Sequence, residues 1–288
     1  MVLPKFEYLK PRSLEEATNL LVELGAGAKI MAGGTDIIPP MRDKVIAPEY
    51  LIDIKDVPGL DYLEYDEREG LKIGALTKLR TLEFSKLVWE VNPSIAQAAK
   101  YVASTQIRAK GTMVGNICNA SPSCDTAPIL IAQDATVLVH NPDGHTREVK
   151  AVDFFKGVKK TVLEHGEIVT GIVVPPLKEG EHAAYIKHSV RKAMDLAIIG
   201  VAAWVKMDGE TCVDARIALG AVATTPIRAP EAEEILKGKA LTDEVLHEAS
   251  LAAMRTARPI SDVRASAEYR KDMIRVFTKR VIKKALEG

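Results

Sequence analysis

The 288-residue sequence lacks features that would direct it to several classes of protein. Its 39 basic residues balance its 39 acidic residues, and a neutral chain has no electrostatic reason to bind nucleic acid or an anionic membrane. No apolar run approaches the length of a membrane span, and the first residues contain no apolar segment of a secretory signal. These absences predict a cytoplasmic protein that binds neither nucleic acid nor membranes.

Cysteine is also scarce. The three cysteines are Cys118, Cys124 and Cys212, and an odd, scattered set is no disulfide framework. Cys118 and Cys124 have no Cys-x-x-Cys spacing and no histidine nearby, which argues against a metal or iron–sulfur site in this chain. No Ser-His-Asp or Cys-His arrangement can be argued either. We therefore expect small buried or loop residues, and no self-sufficient catalytic centre.

The chain is long enough for two or three units with their own cores. A turn at residues 56–59 and a double proline at 175–176 mark the boundaries. The predicted units are residues 1–55, 56–175 and 176–288. In the first unit, Ser13 and Glu16 form a capping box that begins a helix over residues 13–25.

Mixed helices and strands predict an α+β fold. Thr77 is expected to cap a helix that runs to Val88. The third unit is expected to hold an antiparallel meander followed by helices. The other predicted strands cover residues 29–31, 50–54, 60–65, 71–75, 136–140, 147–150, 168–174, 183–190, 197–207 and 211–219, and the other predicted helices cover residues 93–102, 128–132, 242–256 and 266–286.

Two stretches rich in glycine and small polar residues organise the sequence, at residues 29–37 and 111–128. In the first, Gly33-Gly34 allows close backbone approach and positive φ, and successive N–H groups in such a turn attract anions. Thr35 adds a hydroxyl donor and Asp36 an acceptor. This set suits a dinucleotide, although two ordinary tight turns would give the same residues. Neither stretch is a Rossmann or a Walker motif.

The two stretches resemble the FAD-binding (medium) subunit of the molybdenum hydroxylases, the family of xanthine dehydrogenase and aerobic carbon monoxide dehydrogenase. The resemblance rests on residues 32–36, 112–116 and 121–128, and it continues at Tyr185-Ile-Lys187 and at residues 261–264 and 268–270. It implies a two-lobed FAD-binding domain of the PCMH/vanillyl-alcohol-oxidase type. A C-terminal domain of the CO dehydrogenase flavoprotein type, with an antiparallel sheet and helices, would follow.

The resemblance also implies which residues bind FAD. The first loop would wrap the pyrophosphate, and Thr112, Gly115 and Asn116 would complete that cradle. Asp125 would accept hydrogen bonds from the cofactor, and Val102 and Val169 would line the flavin or adenine. Lys187 is either a polar contact near the isoalloxazine or a solvated strand lysine. The first loop comprises Ile30, Met31, Ala32, Gly33, Gly34, Thr35, Asp36 and Ile37.

The family implies an electron relay. A large subunit with the molybdenum cofactor would oxidise the substrate, and a small subunit with two [2Fe–2S] clusters would carry single electrons. FAD on this chain would pass them to NAD⁺ or another acceptor. The motif variants look closer to the xanthine and aromatic-heterocycle branches than to the carbon monoxide branch. The lack of an inserted iron–sulfur loop argues against the 4-hydroxybenzoyl-CoA reductase branch.

One residue departs from the family pattern. Val114 stands where the family usually has the first of two glycines, and its β-branched side chain would hinder close backbone approach to phosphate unless it points into the core. Two alternatives stay open at this point. One is a self-sufficient flavin oxidase, with Cys118 as the nearest residue for a covalent tether. The other is a non-catalytic interaction subunit that has lost FAD.

Overall fold

The structure, a computed structural model, describes residues 3–191 and 193–287. Residues 1, 2, 192 and 288 lie outside this described part, and so do the outer ends of the predicted units 1–55 and 176–288. The α+β fold class is confirmed, with two lobes followed by a domain built on an antiparallel sheet. Within residues 3–191 and 193–287, no helix is both long and apolar enough to span a bilayer.

The first lobe is a small parallel sheet covered by one long helix. Its strands lie in the order β1-β3-β2. Ser13 caps the helix as predicted, because its Oγ accepts the N–H of Glu16 at 3.0 Å, and Gly25 ends the helix at φ 61°. The elements are β1 (Glu7–Leu9), α1 (Leu14–Leu24), β2 (Ala28–Met31), α2 (Ile38–Arg42) and β3 (Tyr50–Asp53).

The second lobe is a five-stranded antiparallel sheet in the order β4-β5-β10-β6-β7. Six short helices, α3 to α8, lie between its second and third strands along the chain. The elements are β4 (Leu63–Asp66), β5 (Gly70–Gly74), α3 (Leu79–Phe84), α4 (Lys86–Val91), α5 (Pro93–Tyr101), α6 (Thr105–Arg108), α7 (Met113–Cys118), α8 (Ala127–Ala132), β6 (Thr136–His140), β7 (Thr146–Lys150), β8 (Phe155–Gly157), β9 (Lys160–Thr161) and β10 (Ile168–Val174).

The helix predicted from Thr77 to Val88 is wrong in two respects. Thr77 caps nothing; its hydroxyl donates to the carbonyl of Tyr62 at 2.5 Å. The helix is also divided at Ser85, whose extended backbone (φ −69°, ψ 118°) ends α3 and whose hydroxyl caps α4. The carbonyl of Tyr62, just before β4, therefore outcompeted the helix N-terminus for the threonine hydroxyl.

The C-terminal domain contains the predicted antiparallel meander, β11-β12-β13, extended by two short strands. Residues of β12 alternate between two hydrophobic cores: Ala202 and Trp204 pack with the second lobe, whereas Val201 and Val205 pack against the C-terminal helices. The elements are β11 (Glu181–His188), β12 (Ile199–Asp208), β13 (Thr211–Gly220), β14 (Ile227–Arg228), α9 (Pro230–Leu236), β15 (Lys239–Ala240), α10 (Asp243–Thr256) and α11 (Ala267–Leu286).

A backbone contact also joins this domain to the second glycine-rich stretch. The N–H of Ala221 donates to the carbonyl of Pro122 at 2.8 Å. Arg270, which is 1% exposed, donates to the carbonyls of Ala221 at 3.2 Å and Ile198 at 2.5 Å, and its guanidinium pairs with Asp262. The C-terminal domain therefore holds the loop at residues 121–126 in place through Ala221.

Candidate cofactor-binding site

The two glycine-rich stretches meet in the folded chain. The first forms a loop over residues 32–37, directly after β2, and the second begins beside it at Gly111. A Cβ on Gly33 would overlap the carbonyl of Lys110, and a Cβ on Gly111 would lie 3.1 Å from Thr35 Oγ1. Glycine at positions 33 and 111 therefore lets the two backbones pack directly against each other.

The paired loops form the wall of one elongated cleft. Two cavities, of about 350 Å³ and 380 Å³, adjoin along it. The first extends to Ile30 and Val169 at one end, and the second extends to Asp125 and Asp195 at the other. The residues that border both cavities are Thr35, Asp36, Val102, Ile107, Asn116 and Asn119.

The first loop presents its main-chain donors to this cleft. Among the described residues, no acceptor takes the N–H groups of Gly33, Gly34, Thr35 or Asp36, and the side chain of Thr35 makes no hydrogen bond. Gly34 has φ +75°, a left-handed conformation that turns the loop and is strained for other residues. Unpaired N–H groups in such a turn form a concavity for an anion.

The second stretch adds one side-chain donor across the cleft, the amide of Asn116. Thr112 caps α7 by accepting the N–H of Gly115 at 2.9 Å. The Oδ1 of Asn116 accepts from the hydroxyl of Thr126 at 2.8 Å. With this oxygen occupied, the amide nitrogen of Asn116 remains the group available to a ligand, because no described residue accepts from it.

Asp36 lies in the middle of the cleft and is oriented by a short chain of polar side chains. Its Oδ1 accepts from the amide of Asn119 at 2.9 Å, and Asn119 Oδ1 accepts from Lys159 Nζ at 2.6 Å. Burial raises the pKa of Asp36, and the attraction of Lys159 opposes that rise. Asp36 is thus held as an acceptor beside the donor-rich loop.

Val114 does not obstruct the site. It occupies the first turn of α7, its side chain is 4% exposed, and it belongs to the large hydrophobic core that joins the two lobes while bordering the cleft. Of the two possibilities that the sequence left open, the structure supports the side chain that points into the core. The departure from the family glycine therefore removes no donor from the cleft.

The far end of the cleft contains a buried ion pair. Lys187 Nζ lies 2.8 Å from Asp125 Oδ2, and the Tyr185 hydroxyl donates to Asp125 Oδ1 at 3.0 Å. Burial raises the pKa of Asp125, while the charge of Lys187 and its hydrogen bond oppose that rise. Because the side chain of Lys187 is only 5% exposed, it is not the solvated strand lysine that the sequence allowed.

Most of the predicted cofactor residues line this cleft. Met31 instead packs with Met41 and Leu51 in the small core of the first lobe, and Lys187 lies behind Asp125. Those that border one or both cavities are Ile30, Ala32, Gly33, Gly34, Thr35, Asp36, Ile37, Val102, Thr112, Gly115, Asn116, Asp125 and Val169.

Sequence reasoning missed three participants: Asn119, Lys159 and Tyr185. Asn119 stands inside the second stretch and could have been singled out by its position. Lys159 was unmarked because it follows 40 residues later. Tyr185 belonged to the C-terminal pattern, but its contact with Asp125, across 60 residues, leaves no local sequence signal.

Cys118 borders the cleft, but its chemistry does not favour a covalent tether. Burial raises the pKa of the Cys118 thiol to about 12. The thiolate is the nucleophilic form of cysteine, so at neutral pH this side chain is an inert thiol. The structure therefore offers no support for the flavin oxidase with a cysteine tether.

The residues present fit an extended dinucleotide. The cleft is long and its walls include the apolar side chains of Ile30, Val169 and Val102. Among them stand the N–H groups of residues 33–36, which have no acceptor among the described residues. A pyrophosphate needs donors at its centre and the ring systems need apolar walls on either side. This arrangement of groups matches that need.

Comparisons with known proteins agree with the fold and the cleft. A family model described as the FAD binding domain in molybdopterin dehydrogenase matches residues 4–177. A model described as the CO dehydrogenase flavoprotein C-terminal domain matches residues 184–285.

Similar proteins match along nearly their whole length. The chain is 37% identical to the carbon monoxide dehydrogenase medium chain of Hydrogenophaga pseudoflava, covering 99% of this chain and 98% of that one. It is 34% identical to the xanthine dehydrogenase FAD-binding subunit of Escherichia coli O157:H7, covering 97% and 95%. The structure of the Hydrogenophaga pseudoflava carbon monoxide dehydrogenase lacking the Mo-pyranopterin moiety superposes with TM-score 0.95 at 38% identity, covering 100% and 99%.

The predicted preference for the xanthine branch is not confirmed. Two carbon monoxide dehydrogenase medium chains match at 37% and 35% identity, and a glyceraldehyde dehydrogenase medium chain at 35%, against 34% for the xanthine dehydrogenase subunit. Relatives named for different substrates are thus almost equally similar to this chain.

Proposed function

Because the chain belongs to the FAD-binding medium subunits of the molybdenum hydroxylases, we propose that it is the electron-transfer subunit of a multi-subunit dehydrogenase. It receives electrons from a partner subunit with [2Fe–2S] clusters and delivers them to NAD⁺ or another acceptor. A large subunit with the molybdenum cofactor oxidises the substrate. The complex works in the cytoplasm, and the chain binds neither nucleic acid nor membranes.

The observation that carries this proposal is the row of N–H groups at residues 33–36, which line the cleft and have no acceptor among residues 3–191 and 193–287. FAD, when bound, supplies the exchange between one-electron and two-electron carriers. The chain's own contribution is to bind and orient it: Gly33 to Asp36 donate to the pyrophosphate, and Thr112, Gly115 and Asn116 form the opposite side of that cradle. Met31 and the rest of β2 fix where the loop begins.

The apolar walls of the cleft and Asp125 orient the ring systems. Val102 and Val169 provide apolar contacts, and Asp125, ion-paired with Lys187, accepts a hydrogen bond from a ring N–H or hydroxyl. Asp36, oriented by Asn119, is placed to accept from a ribose hydroxyl beside the pyrophosphate. These residues bind the cofactor without taking part in bond making, so the chain needs no nucleophile.

The substrate is chosen on another chain. Relatives of this subunit carry names that include carbon monoxide, glyceraldehyde, xanthine and nicotinate. We propose, from the sequence of the two glycine-rich motifs alone, that the complex oxidises xanthine or an aromatic N-heterocycle. This proposal is best tested on the large subunit.

The test is the visible absorption spectrum of the chain co-expressed with its partner subunits, before and after denaturation. We expect flavin bands in the native complex that leave entirely with the supernatant after acid precipitation. Bands that stay with the protein would favour the tethered oxidase. A complex that assembles without flavin, even after FAD is added, would favour the non-catalytic subunit.

A further inference from the structure

Lys187 has no N–H group left for a cofactor. Its ammonium donates to Asp125 Oδ2 at 2.8 Å, to the carbonyl of Tyr101 at 3.0 Å and to the carbonyl of Asp195 at 2.7 Å. A lysine ammonium has three N–H donors, so all of them are occupied by the protein. A direct contact with the flavin would require Lys187 to give up one of these buried acceptors.

The same strand holds both oxygens of Asp125. Tyr185 and Lys187 lie two residues apart on β11 and so point to the same face. Tyr185 donates to Oδ1 and Lys187 to Oδ2. Gly200, the strand partner of Lys187, makes room for this arrangement, because a Cβ there would lie 2.6 Å from the Tyr185 hydroxyl.

We propose that Lys187 is a positioning residue that acts on the cofactor through Asp125 and does not contact the flavin itself. The inference deepens the proposed function and rests on it. Lys187 fixes three segments that meet at the far end of the cleft: the end of α5, the loop carrying Asp125, and the segment at residues 194–196 that borders the second cavity. Through it, the C-terminal domain sets the shape and charge of the flavin end.

The charge of Asp125 depends on this lysine. Burial raises the pKa of Asp125, and the attraction of Lys187 is the largest effect in the other direction. Without Lys187, only the hydrogen bond from Tyr185 would oppose the effect of burial on the pKa of Asp125. Asp125 would then take up a proton at a higher pH. A protonated carboxyl is a donor, so it would no longer offer the ionised acceptor on which the proposed binding relies.

Among the described residues, the titratable neighbours of Asp125 named below keep one protonation state near neutral pH. Burial raises the pKa of Tyr185 well above its usual value and that of Cys124 to about 11, and it also raises the pKa of Tyr101. The backbone N–H of Arg191 lowers the pKa of Asp195, which therefore stays ionised. A pH dependence that appears when Lys187 is removed would thus report on Asp125.

The experiment compares Lys187→Met, Asp125→Asn and the double variant, each in the full chain co-expressed with its partner subunits. FAD content after dialysis and the flavin reduction potential are measured between about pH 5.5 and pH 9, which spans the ordinary range of neutral titrations. Lys284→Met is the matched control: Lys284 is a partly buried lysine that binds Gln97 Oε1 at 2.6 Å and the Tyr185 carbonyl at 3.3 Å, but not Asp125.

For Lys187→Met we expect FAD affinity about 10- to 100-fold below wild type at neutral pH, the usual effect of removing a charged hydrogen bond. The affinity should recover as pH rises and Asp125 ionises. The double variant should match Asp125→Asn in affinity and potential, because Lys187 then has no carboxylate to act through. Lys284→Met should behave as wild type, and Lys187→Arg should restore part of the affinity.

Two results would overturn the inference. One is a double variant that binds FAD more weakly than Asp125→Asn, or at a different potential, since Lys187 would then act on the cofactor by a route other than Asp125, either by direct contact or through the carbonyls of Tyr101 and Asp195. The other is a Lys187→Met chain that retains FAD like wild type at every pH. Should Lys187→Met fail to fold, the comparison of the double variant with Asp125→Asn decides alone. A wild-type complex without FAD would instead refute the proposed function.

Discussion

The α-carbon of Gly33 lies against the main-chain carbonyl of Lys110, so closely that a methyl group on residue 33 would overlap that carbonyl. The main chain of Lys110 cannot move aside to accommodate a methyl group, whereas the end of a flexible side chain could. The contact therefore fixes the distance between the loop at residues 32–37 and the stretch that begins at Gly111, and with it the width of the cleft.

Replacing Gly33 by alanine should separate these loops. We expect Gly33→Ala to lose most of its FAD and to unfold with a free energy lower by about 1–3 kcal/mol, the usual cost of overpacking. The measurements are the flavin-to-protein absorbance ratio and urea unfolding. Gly27→Ala is the control, because its Cβ would meet Glu49 Cδ at an ordinary 3.5 Å. Full FAD retention by Gly33→Ala would contradict the proposed loop contact.

The left-handed turn at Gly34 gives a second prediction, in which strain can be separated from cofactor binding. Valine at φ +75° costs about 1–2 kcal/mol. Gly59 has the same φ of +75°, has open space around it and lies outside the cleft. We expect Gly34→Val and Gly59→Val to lose similar stability in urea unfolding, but only Gly34→Val to release FAD. Equal FAD content in the two variants would refute the assignment of the loop.

Restoring the family glycine at position 114 should not improve the site. Val114 is 4% exposed within the core that joins the two lobes. Val114→Gly removes packing contacts and increases the backbone entropy that α7 loses on folding, so it should lower the free energy of unfolding by about 2–4 kcal/mol. We expect a lower midpoint of urea unfolding and no gain in FAD affinity, measured by fluorescence titration of the stripped protein. A tighter complex would show that the valine does hinder the backbone.

The Cys118 thiol should be unreactive in the native protein. Since burial raises its pKa to about 12, almost none of it is thiolate at pH 8. We expect iodoacetamide to leave Cys118 unmodified in the native complex and to alkylate it after denaturation, with the sites identified by peptide mass spectrometry. Rapid native alkylation at Cys118 would reopen the possibility of a flavin tether.

Acid stability should depend on Asp262. Its carboxylate accepts from Arg264 Nε at 3.0 Å and from Arg270 Nη2 at 2.8 Å, and the hydrogen bonds from Arg264 are the main reason that its pKa lies well below the usual range. A carboxyl with a depressed folded pKa stabilises the fold above its unfolded pKa of about 3.9, and that contribution is lost as pH falls towards the folded value.

Asp262→Asn should therefore be less stable than wild type at pH 7, with a difference that shrinks at pH below about 4. Urea unfolding at several pH values measures it. Asp272→Asn, at an exposed position of α11, is the control and should show no such trend. A difference that stays constant from neutral to acid pH would mean that packing, and not the charge of Asp262, matters here.

The elements with local signals could be predicted from sequence. Ser13 caps its helix because a capping residue needs only its own first turn, and the hairpin of β6 and β7 follows from strand alternation around a turn. Thr77 failed because its hydroxyl was taken by Tyr62, 15 residues earlier. A competing partner this far away in the sequence leaves no mark on the local pattern.

The cofactor loops were also recognisable, since glycine and small polar residues stand together in each. The environment of Asp125 was not. Its partners Tyr185 and Lys187 are 60 and 62 residues away in another domain, and only the folded chain brings them to the same carboxylate. Sequence could thus identify residues for the cleft but could not say which of them contact the ligand and which act behind it.

The alternation along β12 limits how this protein can be divided. One face of that strand closes the core of the second lobe with Ala202 and Trp204, and the other face closes the core of the C-terminal helices. A C-terminal fragment would expose the first face to water, and the FAD-binding part without it would lose a wall. The predicted boundary between residues 175 and 176 thus separates two segments of sequence that share a hydrophobic core. An exchange of C-terminal domains between relatives would have to preserve both faces of β12.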